Sequence, residues 1–212
     1  QYCTPKPRIF IGYNGLKNMQ HILKKAYQDA INTIQTSVEQ PNFVAKTVQV
    51  SESIADVFKA NKKVLICGNG GSACDAMHFA EEFTGRYRKN RRALPVIALS
   101  DPSHITCVGN DFGFNDIFSR GVEAYGQPED MWIGLSTSGN SENVIRALHA
   151  AQSKGLKTVT LLGKNGGKLA GQAEVEWIIE AETSDRIQEV HMTILHTIIE
   201  GVERILFPEN YS

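Results

Sequence analysis

The sequence predicts an α/β fold, a parallel sheet flanked by helices with further helices ahead of it, and three observations carry that prediction. Five short apolar runs are set apart by loops and longer segments, the signature of strands buried on both faces of a parallel sheet. Helix-period stretches stand between the runs, as in helix-flanked α/β proteins. Helical periodicity also precedes the first run.

In chain order, Met19–Glu39 and Asn42–Lys59 repeat apolar residues at three- and four-residue steps, as at Val44, Val48, Ile54, Val57 and Phe58, with Pro41 at the break. The strand runs are Lys63–Cys67, Pro95–Leu99, Met131–Leu135, Thr158–Leu162 and Val175–Ile179. Ser72–Thr84 and Ser141–Lys154 read as helices between them, and an amphipathic pattern from Ser184 to Leu206 closes the chain. Right-handed crossovers place the loops after the strands on one rim, where ligands of open α/β sheets gather.

A chain of 212 residues suits one domain. Residues 1–18 begin with Gln, carry Pro5 and Pro7 and lack the apolar stretch of a secretory signal. They read as an upstream extension, with Met19 as the native start and 19–212 as the single domain. No stretch reaches the roughly 18 apolar residues of a membrane span. The net charge of −1 advertises no broad polyanion partner, so neither nucleic acid nor membrane is expected, and Arg86, Arg88, Lys89, Arg91 and Arg92 read as a solvated loop. Cys3, Cys67, Cys74 and Cys107 form no CxxC pair, and Cys67 lies inside an apolar run. This favours a reducing, cytoplasmic setting without disulfides.

Two loops suit an anion. Gly68-Asn69-Gly70-Gly71-Ser72 joins a strand to a helix, where glycines permit tight turns and helix-start amides face a ligand. Gly68, Gly70 and Ala73 also satisfy the dinucleotide fingerprint, which keeps a nicotinamide or flavin enzyme open as an alternative. Ser136-Thr137-Ser138-Gly139-Asn140-Ser141 places four hydroxyls before a helix, which suits a phosphate monoester; its plain alternative is a turn ending in a Ser N-cap. No GxxxxGK[ST] occurs, so nucleoside triphosphate chemistry lacks its lysine.

Polar groups also interrupt helical patterns. His78 and Glu82 are four apart and share a face, fit for a metal or an acid/base couple, or equally for an ordinary exposed pair. The last helix carries Gln188, His191 and His196, with Gln188 and His196 about 80° apart around the axis. Ile194, Leu195, Ile198 and Ile199 around His196 imply partial burial, whether as a catalyst or as a hydrogen-bonded core residue.

Taken together, Cys67–Ser72, Asp75–Glu82, Ser136–Ser141 and Arg186–His191 resemble the phosphoheptose isomerase branch of the sugar isomerase (SIS) family, and Asn110–Gly113 and Gly163–Gly167 extend the likeness over roughly residues 20–207. The resemblance implies a five-stranded parallel sheet in a flavodoxin-like three-layer sandwich, and a homotetramer whose active sites are shared between chains. It implies substrate contacts at Asn69, Gly70, Gly71, Asn110, Asp111, Ser136, Thr137, Ser138 and Ser141, with Ser72 in the phosphate shell. It implies one zinc ion per subunit at His78, Glu82, Gln188 and His196, with Glu82 and Gln188 also touching substrate. The implied reaction turns sedoheptulose 7-phosphate into D-glycero-D-manno-heptose 7-phosphate, toward the heptoses of lipopolysaccharide core. Glu82 is then the base at carbon and His196 the acid toward oxygen, through an enediol. The same family includes the DnaA initiator-associating protein, a tetrameric adaptor whose ending Leu206-Phe207-Pro208 resembles; that branch lacks the acid/base pair that Glu82 and His196 supply here.

Overall fold

The computed structural model describes residues 13–212. Two helices lead, α1 (Tyr13–Val38) and α2 (Phe43–Lys59). They separate where Pro41 and the left-handed Asn42, at φ 63°, turn the chain. Helix α1 passes through Met19 without a break, and residues 1–12 of the expected extension lie outside the described residues.

The rest alternates: β1 (Val64–Gly68), α3 (Gly71–Thr84), β2 (Val96–Ala98), α4 (Pro102–Asp111), α5 (Ser119–Tyr125), β3 (Met131–Ser136), α6 (Glu142–Ser153), β4 (Lys157–Gly163), β5 (Val175–Ile179) and α7 (Ser184–Leu206). All five expected strands are present, within about two residues of their expected ends. Helices α4 and α5 are additional to the elements that the sequence pattern predicts. A start signal for α4 is nevertheless in the sequence: Asp101 caps it by accepting from the His104 amide at 2.8 Å, and Pro102 follows at the first helical position.

The sheet is wholly parallel in the order β2-β1-β3-β4-β5. Because the chain steps from β1 outward to β2 and then returns to β3 on the other side of β1, the helices after β1 and β3 leave toward opposite faces. That divergence opens a crevice at the carboxyl ends of the two strands. Strands β1 and β3 are buried along their whole length. One face is covered by α2, α3 and α7, packing Phe58, Phe79, Phe83, Trp177 and Ile198; the other is covered through Val122, Trp132, Val144 and Leu148. Each such side chain contributes about 1.5–3 kcal/mol by leaving water.

The basic segment departs from the solvated loop expected of it. Arg91 is inside: its side chain is 1% exposed and its Nε meets Glu203 Oε1 of α7 at 2.8 Å. The guanidinium also donates to the carbonyls of Glu82, Phe83 and Gly85, the end of α3. A helix C-terminus leaves carbonyls unpaired, and one arginine satisfies them while its charge is matched by a buried carboxylate.

Candidate active site

Three helix starts meet at the crevice. Gly70 precedes α3 with φ 56°, a conformation that favours glycine. Ser141 precedes α6 and Thr183 precedes α7, and none of the three makes a side-chain cap. Their positive ends therefore point toward one space.

That space is a cavity of about 260 Å³ walled by Asn69 to Ser72, by Ser136, Thr137 and Ser141, and by Ser184 and Gln188. Its hydroxyls are held in pairs: Ser136 Oγ lies 3.1 Å from Ser141 Oγ, and Thr137 Oγ1 lies 3.1 Å from Ser184 Oγ. Ser136 Oγ also accepts from the Gly139 amide at 3.1 Å, which shapes the turn. Asn69 is fixed by a reciprocal amide pair with Asn143, at 2.8 and 2.9 Å. No charged side chain lines the wall, so an anion would be met by amides, hydroxyls and helix dipoles. A larger cavity of about 410 Å³ lies at the opposite rim, by Lys157 at the start of β4, away from these groups.

Two turns further along, α3 and α7 bring a second group together. The donor atoms of His78, Glu82 and His196 all lie within 4.8 Å of one another. His78 Nε2 is 3.3 Å from Glu82 Oε1, and the imidazoles of His78 and His196 stand perpendicular with centroids 5.0 Å apart. Glu82 is largely enclosed, its side chain 15% exposed, against 43% for His78. Burial, and then the neighbouring His78, lower the proton affinity of His196, while Glu82 works in the opposite direction. Two imidazoles and a carboxylate are donors that a divalent ion such as zinc accepts. A tetrahedral ion about 2 Å from each would want them roughly 3.3 Å apart, a spacing His78 and Glu82 already have. This is the candidate metal group.

Gln188 stands on the cavity side, outside the His78, Glu82 and His196 group. Its carboxamide lies over Gly71, where an added Cβ would sit 2.6 Å from it, so the closeness of α3 and α7 depends on that glycine. Gly71 faces Gln188 at the first turns, and His78 faces His196 about 10–12 Å further down both helices, which run side by side.

Of the residues expected from sequence, the cavity gathers Asn69, Gly70, Gly71, Ser72, Ser136, Thr137, Ser141 and Gln188. Ser138 turns aside, its Oγ accepting from the Asn140 amide. Asn110 and Asp111 are exposed at the end of α4 and do not line the cavity. His191 is fully buried, and its Nε2 meets the Leu162 carbonyl at 3.0 Å, so it serves the core. Sequence reasoning missed Ser184 and Asn143. Ser184 is readable as a hydroxyl at a helix start, whereas the pairing of Asn143 with Asn69 spans 74 residues and has no local signal.

A parallel sheet of this order, with a cavity of amides and hydroxyls beside an acid/base-capable group, defines the class: a SIS domain, whose family description matches residues 26–163. The phosphoheptose isomerase of Fusobacterium nucleatum is 61% identical over 189 residues, covering 89% of this chain and 97% of that protein. The phosphoheptose isomerase of Escherichia coli (strain K12) is 52% identical over 186 residues, covering 87% and 97%. The solved structure of the phosphoheptose isomerase from Neisseria gonorrhoeae superposes with a TM-score of 0.81 at 36% identity, covering 87% and 98%. The chain belongs to the SIS domain family and, within it, to the phosphoheptose isomerases.

Proposed function

We infer that the chain isomerises sedoheptulose 7-phosphate to D-glycero-D-manno-heptose 7-phosphate, a ketose-to-aldose conversion for heptose biosynthesis in the cytoplasm. The observation that carries this reading is the convergence of Glu82 and His196 from α3 and α7, about two turns along the same helices whose starts line the amide and hydroxyl cavity.

The phosphate sits among Ser72, Ser136, Thr137 and Ser141 at the helix starts, and Asn69, Gly70 and Gly71 contact the sugar. The 10–12 Å offset along α3 and α7 matches an extended sugar chain with its phosphate at one end and its carbonyl at the other. Binding energy gained at the phosphate then holds the reacting carbons against Glu82 and His196. Glu82 takes the proton from C1 and returns it to C2, while His196 passes a proton between the two oxygens through an enediol. His78, Glu82, Gln188 and His196 would hold zinc, and the ion when bound would polarise the carbonyl. Gln188, in the cavity wall, touches substrate as well.

The chain acts as a homotetramer with shared sites. Leu16, Met19, Ile22, Leu23, Tyr27 and Ile31 form an exposed apolar stripe on α1, which a second copy would cover. Asn110, Asp111 and Ser138, outside the cavity lining of their own chain, would reach substrate in the assembled molecule.

The test is incubation of zinc-supplied protein with sedoheptulose 7-phosphate, followed by NMR for the aldose phosphate. Glu82→Gln and His196→Ala should each lower turnover by roughly 10²–10⁴-fold, and dephosphorylated sedoheptulose should react poorly. A folded, zinc-supplied protein that gives no aldose phosphate would sink the reading and direct attention to an adaptor role.

A further inference from the structure

The segment between α3 and β2 places Tyr87 against the His196 ring, with centroids 6.0 Å apart and planes 26° from parallel. His78 stands perpendicular to the same imidazole. Among the described residues no hydrogen bond holds the His196 ring, and it packs against these two rings.

Tyr87 is itself braced. The Arg88 guanidinium lies 4.9 Å from its ring centroid. Arg88 also pairs with Glu200 at 2.9 Å, one turn beyond His196 on α7, and Glu200 is held in turn by Arg204 at 2.7 Å. Further along the segment, Arg91 is locked to Glu203 and to the carbonyls ending α3. The dipeptide Tyr87-Arg88 thus grips two successive turns of α7 from a backbone anchored in the core.

We propose that Tyr87 is a positioning residue that fixes the plane of the His196 imidazole for proton transfer, with the Arg88 to Glu200 pair as its brace. The proposal rests on the role given to His196 above. A proton-transfer group must hold its approach to the reacting atoms, and a misplacement near 1 Å can cost about a hundredfold in rate.

The test compares full-length, zinc-supplied Tyr87→Leu, Tyr87→Phe, Arg88→Gln and His196→Ala. Tyr87→Leu keeps an apolar side chain and removes the ring; its kcat should fall roughly 10–100-fold while KM holds, because the phosphate cavity is untouched. Tyr87→Phe keeps the ring and should keep kcat. In the zinc-free protein with labelled histidine, the His196 ring resonance should broaden in Tyr87→Leu, broaden less in Arg88→Gln, and stay sharp in Tyr87→Phe. The Arg88→Gln spectrum decides the matter if Tyr87→Leu does not fold. An inactive His196→Ala beside a fully active Tyr87→Leu overturns the positioning role alone, as does a loss that appears in KM, or one equal in Leu and Phe. An active His196→Ala overturns the underlying role of His196.

Discussion

His191 and His196 are five positions apart on α7, about 140° around its axis, and this angle separates their chemistry. His196 turns to α3 and meets His78 and Glu82. His191 turns to the sheet and is fully enclosed, and burial pushes its pKa down from 6.5 to about 4. Such a histidine stays neutral when folded but takes up a proton when unfolded, so acid favours the unfolded chain. Its stabilising contribution is complete above about pH 6.5 and is lost progressively as pH falls toward 4. The whole step is on the order of 3 kcal/mol. Thermal unfolding between pH 7 and pH 4 should show this decline, and His191→Leu should flatten it; an equal slope in both proteins would assign the acid sensitivity to other groups.

The site's geometry depends on how strands β1 and β3 enter the sheet, since their far ends carry the two cavity loops. Asp130 ties those entries together. Its fully buried carboxylate meets Lys63 Nζ at 2.6 Å and accepts from the amides of Lys63 at 3.0 Å and Gln127 at 2.8 Å. Asp130→Ala strands a lysine and two amides, and should cost roughly 2–4 kcal/mol in urea unfolding, tempered by the partial solvent access of Lys63. A cost below about 1 kcal/mol would mean that water replaces the carboxylate freely. On α3, Gly71 admits Gln188 at one end and Arg91 closes the carbonyls at the other, so the helix bearing His78 and Glu82 is fixed at both ends.

The described chain leaves large apolar side chains exposed on two of its faces. Besides the α1 stripe, Val44, Val48 and Ile205 are exposed around a groove of about 360 Å³ between α2 and α7. Burial against further copies, as in the proposed homotetramer, would remove this surface from water. Sedimentation should give a tetramer, and the paired change Ile22→Asp and Leu23→Asp should yield smaller species with reduced isomerase activity. A paired variant that remains tetrameric would place the contact elsewhere. Among the described residues no helix is long and apolar enough to cross a membrane.

Apolar runs locate the five strands and periodicity the long helices, because burial on both faces writes a continuous apolar run for each central strand and burial on one side writes a stripe for each helix. The two glycine and hydroxyl loops were equally legible, since local backbone demands and helix starts leave local traces. Short α4 and α5 carry too few residues to establish a period, and the mixed end of β2, with Ile97 partly exposed, blurs the edge. Spacing alone paired His78 with Glu82 and the family resemblance added His196; the packing of α3 on α7, which joins residues more than a hundred positions apart, brings the three together. The interior place of Arg91, the pairing of Asn69 with Asn143 and the stacking of Tyr87 on His196 share that origin. A sequence reports the period of each element and the chemistry each residue can offer; which groups meet is decided by the side chains of other elements, and only the tertiary structure supplies them.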